Sequence, residues 1–114
     1  MSDNIVYLDI DEGLKRMMNN MKLYVRLLGK FRAETKLDSL EAGIAEGNME
    51  KAREAAHTLK GVAANLSLLE LFKQTLELET QIKAGTVNPA QLQTVKTVFS
   101  ETLREIDKVI EKNG

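Results

Sequence analysis

His57 is the chain's only histidine, and it stands where a reactive side chain is useful. An unperturbed imidazole, with a pKa of about 6.5, offers a neutral, nucleophilic ring nitrogen at physiological pH. At about 100° per residue, Ala52, Ala55, Ala56, Leu59, Val62, Ala63 and Leu66 fall within roughly 60° of Leu59 and form one apolar stripe. His57 lies about 160° from the centre of that stripe, so its imidazole is expected to face solvent. Gly61 and Ala64 flank it one turn later, with Arg53 and Lys60 at one edge and Glu54 at the other. The result is a side-chain-poor surface that another protein can approach closely.

A lone histidine on a helix is more often a solvated surface residue than a reactive one, and other chemistries find little support. Glu54 and His57 have the Glu-x-x-His spacing of half a carboxylate-bridged di-metal site, but those ligands project inward and there is no second histidine. Ser2, Ser39, Ser67 and Ser100 lack a nucleophile-elbow glycine pattern and read as caps or exposed positions. No Gly-rich phosphate cradle is present, so the chain is not expected to phosphorylate itself from ATP.

The elements that must hold His57 are read from hydrophobic period and capping. Asp9 or Asp11 caps a short helix from Glu12 to about Asn19 that lays Leu14, Met17 and Met18 on a core. From Asn20, Met21, Tyr24, Leu27, Leu28 and Phe31 repeat at helical spacing, but Leu37, Leu40 and Ile44 fall on nearly the opposite face. That slip predicts a kink or break near Ala33 to Lys36, with Thr35 and Asp38 arranged like a capping box. Gly47 and Asn48 read as stop and restart, and the His57 helix runs from about 49 to 66.

Ser67-Leu68-Leu69-Glu70 fits a capping box for the next helix, which Gly85 ends. Its Leu68, Leu69, Leu71, Phe72, Leu76, Leu78 and Ile82 predict a wide apolar surface facing two neighbours. Asn88, Pro89 and Gln91 open the last helix, to about Lys112, with an N-cap, a first-turn proline and a capping-box partner. Leu92, Val95, Phe99, Leu103, Ile106 and Val109 or Ile110 form its inward stripe. Short connections favour antiparallel neighbours. The expected fold is all-α, an antiparallel up-and-down four-helix bundle with a short additional N-terminal helix, as a single domain over 1–114.

Ala56-His57-Thr58-Leu59-Lys60-Gly61, followed by Ala63-Ala64-Asn65-Leu66, resembles the signature of the histidine-containing phosphotransfer (HPt) domain family of two-component phosphorelays. The resemblance covers most of the chain, and many family members carry glycine where this chain has Ser67. It implies that His57 is the phosphoacceptor, that Lys60 neutralises phosphoryl charge and that Gly61 leaves room for a partner. Arg53 and Ala64 join Gly61 as candidate docking residues. The partners implied are response-regulator receiver domains and a hybrid histidine kinase, with His57 relaying phosphoryl groups between receiver aspartates. The receiver brings the Mg²⁺; the chain needs no cofactor or metal of its own. It is expected to be a phosphotransfer intermediate rather than an autonomous kinase. A non-catalytic helical adaptor and an excised phosphoacceptor domain of a histidine kinase remain open alternatives.

Composition agrees with such a module. The 114 residues, 43% of them hydrophobic, suffice for one core. Sixteen basic and seventeen acidic residues nearly cancel without a long like-charge run, which argues against a general nucleic-acid or membrane binder. The absence of cysteine excludes disulfides and thiol catalysis and fits a reducing cytoplasm. Asp3, Asp9, Asp11 and Glu12 interrupt any secretory apolar core. A cytoplasmic monomer is the expectation.

Overall fold

The computed structural model describes residues 5–113; Ser2, Asp3 and Gly114, and so both ends of the expected 1–114 domain, lie outside them. The described residues form six helices and no strand: α1 (Ile10–Arg16), α2 (Met21–Glu34), α3 (Asp38–Glu46), α4 (Met49–Asn65), α5 (Leu69–Ala84) and α6 (Pro89–Asn113). The chain is all-helical, as its periodicities require. α4 packs between α3 and α5, α5 continues onto α6, α6 onto α2, and α1 lies against α2. One continuous core, including Tyr24, Leu28, Leu71, Leu78, Val95 and Ile106, fills the space between them.

Side-chain caps start four of the helices. Asp9, Asn20 and Asn48 each accept from a backbone amide three residues on, those of Glu12, Leu23 and Lys51, satisfying one of the orphan donors of a first turn. Gly47 and Gly85 end α3 and α5 in the left-handed region, at φ 72° and 78°, where a side chain is disfavoured. Asn88 receives the Ala90 amide at the start of α6. α5 meets α4 on one side and α6 on the other, as its wide apolar surface predicts.

Several local expectations need correction. α1 stops at Arg16, because Met18 and Asn19 both adopt positive φ, and Met18 is 90% exposed instead of packed. The slip after Phe31 is a full break between α2 and α3, but Thr35 forms no cap there: Leu37 holds the N-cap position without a side-chain bond. Ser67 does not cap α5 either. Leu68 takes that position, while Ser67 turns back at φ 58° and its hydroxyl donates to Glu12 Oε1 at 2.7 Å. Gln91 donates its amide to Gln74 rather than closing a capping box. Leu69 and Leu76 lie on the solvent side of α5.

The turn between α4 and α5 is tied to the N-terminal segment. The Asp9 amide donates to the Ser67 carbonyl at 3.0 Å, and the Tyr24 hydroxyl donates to the Leu66 carbonyl at 2.7 Å. Burial, then the nearby charges of Asp9 and Glu12, push the Tyr24 phenol up to about 12. Gly13 has no side chain because its Cβ would fall 2.3 Å from the Tyr24 ring. These contacts fix the C-terminal end of the His57 helix against the start of the chain.

Candidate functional site

α4 delivers His57 to the surface by the phase of its stripe: Ala52, Ala56, Leu59 and Ala63 are buried, and the opposite side faces out. The imidazole is 66% exposed. Its Nδ1 sits 3.1 Å from Oε2 of Glu79, on the neighbouring α5. Glu79 itself is 1% exposed, so the site is an exposed ring seated on a buried carboxylate.

A carboxylate at that depth needs compensation, since removing an isolated charge from water is costly. Three groups supply it. Lys60 Nζ lies 2.7 Å from Oε1, Lys83 Nζ 3.7 Å from Oε2, and the imidazole makes the third contact. Burial pushes the Glu79 pKa up, but the hydrogen bonds from Lys60 and His57 and the charges of Lys60 and Lys83 outweigh it and hold the group below its usual range. Glu79 is therefore ionised at neutral pH.

That charge state decides the histidine tautomer. An ionised carboxylate only accepts hydrogen bonds, so the 3.1 Å contact requires the proton on Nδ1. In the neutral ring Nε2 then keeps its lone pair, on the side of the imidazole away from Glu79. A carboxylate behind a histidine in this way fixes ring orientation and stabilises a developing positive charge on the ring.

The other candidate residues fall around this pair. Gly61 is exposed, and a Cβ built on it would meet nothing within 4 Å. Arg53 and Ala64 are half-buried on the same helix. Lys60 is more constrained than the sequence suggests: its ammonium is committed to Glu79 and its side chain is 21% exposed. Among the described residues no group of three or more His, Asp or Glu side chains is arranged to hold a metal ion.

Glu79 and Lys83 escaped the sequence reading. The signal for Glu79 lies in the phase of α5, whose buried positions are Leu71, Thr75, Leu78, Glu79 and Ile82. A glutamate in step with leucines and isoleucine is a charge placed in the core, and such a charge needs partners. Lys83, one turn later, follows as an i,i+4 neighbour.

Fold and site together define a helical module that presents one oriented, nucleophilic histidine on an open surface. The family model described as Hpt domain matches residues 27–111, most of the chain and all of the His57 helix. The chain belongs to the Hpt domain family, whose members carry out histidine phosphotransfer in two-component phosphorelays and interact with response-regulator receiver domains. Neither the comparison with curated proteins nor that with solved structures gave a match. No helix among the described residues is long and apolar enough to cross a membrane.

Proposed function

We propose that this chain is a phosphorelay intermediate in which His57 takes a phosphoryl group from the aspartyl phosphate of one receiver domain and gives it to the aspartate of another. The observation that carries the reading is the exposed imidazole whose Nδ1 is held by buried, ionised Glu79, leaving Nε2 free to react. In the forward step the Nε2 lone pair attacks phosphorus, the N–P bond forms, and the P–O bond to the donor aspartate breaks. The aspartate leaves as a carboxylate with the bonding pair. The ring keeps its Nδ1 proton and becomes a phosphorylated imidazolium, whose positive charge faces the Glu79 carboxylate. Transfer to the second aspartate is the reverse of this sequence.

Lys60 serves the step twice. It keeps Glu79 ionised through the 2.7 Å contact, and its positive charge, one turn from His57, offsets that of the incoming phosphoryl group. Mg²⁺ and the acidic pocket come from the receiver. Gly61, Ala64 and Arg53 form the docking surface around His57, with the hybrid kinase's receiver as donor. The module acts as a cytoplasmic monomer of one domain, and α2 with α3, α4, α5 and α6 serve as the four arms of an antiparallel bundle to which α1 is added.

The test is incubation with phosphorylated receivers and Mg²⁺, and separately with ATP and kinase domains, scoring acid-labile phosphate on the chain. Labelling from receivers, lost in His57→Gln while the fold persists, is the expected result. The substitution disturbs one of the three contacts that compensate buried Glu79, so a stability loss of about 1 kcal/mol with the fold retained is expected. Labelling of His57→Gln at the parent's rate would refute the assignment of the phosphoacceptor. Absence of transfer from every cognate donor would favour a non-catalytic adaptor, and labelling only by a kinase domain with ATP would favour a detached kinase domain.

A further inference from the structure

Eight of the sixteen lysines and arginines stand beside a carboxylate, as Arg16 does with Glu12, Arg32 with Asp107 and Lys96 with Glu41; of the other eight, three follow one another on α2. Lys22, Arg26 and Lys30 on α2 have no carboxylate within ion-pair distance among the described residues, and all three are exposed. Their spacing of four puts them on one ridge that turns by about 40° at each step. Like charges at that spacing repel one another; the row changes sign only at Glu34, one turn past Lys30 and in the same groove.

The ridge has a direction. It begins beside a shallow depression lined by Asn20, Lys22, Leu23 and Arg26. It ends at Lys30, which lines a groove together with Leu27 and Phe31 of α2 and Val62 and Asn65 of the His57 helix. On α4, Asn65 stands about 80° around from His57, with Gly61 between them. The basic ridge thus ends beside the C-terminal end of the His57 helix, about two turns (~12 Å) along from the histidine and on the side away from Glu79. The formal net charge of the whole chain is −1, so this is a local field and not a general basicity.

We propose that Lys22, Arg26 and Lys30 steer and select the receiver partner, which carries a negatively charged patch beside its own aspartate pocket. This rests on the phosphotransfer reading and adds to it the chemistry of the partner's surface. Complementary charge acts mainly on encounter rate, and it does so within a screening length of about 8–10 Å at physiological salt. The ridge should therefore favour acidic-faced receivers in capture while leaving the bond-making step unchanged.

The test compares the full chain with a triple variant, Lys22→Gln, Arg26→Gln and Lys30→Gln. Glutamine keeps helix propensity close to that of lysine and arginine, so circular dichroism and melting should match the parent. Transfer is measured at low and high salt from a panel of phosphorylated, Mg²⁺-loaded receivers. The expected result is a loss of about tenfold in kcat/KM at low salt, a flattened salt dependence and an unchanged saturating rate. Labelling by the small molecule phosphoramidate should be equal in both proteins. An unchanged kcat/KM and salt slope in the folded variant would overturn the proposal. So would a variant that loses binding to DNA or to anionic vesicles while receiver-dependent transfer stays intact. Failure of every receiver to label the parent sinks the phosphotransfer reading and this inference with it, whereas transfer that ignores the ridge sinks the inference alone.

Discussion

Glu79 sets the chemistry of the site because one buried carboxylate orients the imidazole, holds Lys60 and attracts Lys83. A carboxyl whose folded pKa lies below its usual 4.5 adds stability that is complete above that value and is lost as pH falls through the folded pKa. Glu79→Gln removes this dependence. At neutral pH the variant should be less stable by about 1–3 kcal/mol, since Lys60 loses its counter-charge. The gap should narrow as pH falls from the usual carboxyl range through the lower folded value, and urea midpoints of the two proteins across that range measure it. A gap that stays constant or widens would mean that the carboxylate is not ionised in the native state. Gly61 presents the opposite case, a position where fold and partner ask for different residues. With open space around its Cβ, Gly61→Ala should stabilise the free domain by up to about 1 kcal/mol. Gly61→Leu should stay helical yet slow transfer from receivers far more than Gly61→Ala does, while labelling by phosphoramidate stays normal. Equal receiver-dependent rates for the leucine variant and the parent would remove Gly61 from the docking surface.

At the scale of elements, what the sequence disclosed and what it concealed divide along a physical line. The phase of α4 was legible because seven apolar residues and one histidine leave a single solution for which side faces out. The stop at Gly47 and the caps at Asn20 and Asn48 were legible because backbone conformation and short polar side chains act within one turn. Thr35 and Ser67 misled for the same reason: both have local capping chemistry, but tertiary contacts settled the outcome. Ser67 illustrates the competition. Its hydroxyl is taken by Glu12, 55 residues earlier in the chain, and its φ of 58° belongs to the region that suits glycine. Ser67→Ala keeps the disfavoured backbone and loses the hydrogen bond, whereas Ser67→Gly loses the bond but relieves a backbone cost of about 1–2 kcal/mol. The glycine variant should therefore be more stable than the alanine variant by about 1 kcal/mol in urea titrations. An alanine variant as stable as the glycine one would show that the turn imposes no such cost. Glu79 stayed hidden because a pairing between helices requires their register, and periodicity alone does not supply it.

Across the whole molecule, the site rides on the best-supported part of the fold. α4 has helices on both sides and α5 likewise, whereas α1 rests chiefly on α2 and buries only Gly13. Cooperative opening follows such differences in support. Hydrogen exchange should show α4 and α5 amides exchanging last, near the global unfolding limit, and α1 amides well before them. If α4 opened as early as α1, the Glu79 contact would not be a fixed part of the native state, and Glu79 would not hold the proton on Nδ1 of His57. The basic ridge on α2 belongs to this scale too, since a nearly neutral chain presents it to one side only.

The hydroxyl of Tyr24 ends on the Leu66 carbonyl, at the last turn of the histidine helix, with Gly13 of α1 against its ring. The chain has two tyrosines and no tryptophan, so its native ultraviolet emission comes from very few rings, and this one is fully enclosed. A fluorophore is thus already installed where the N-terminal segment meets the end of α4. Partner binding that lifts α1, or shifts that end, would admit water to the ring and change its emission and quenching. The event could be timed on the unlabelled protein with a partner free of tyrosine and tryptophan.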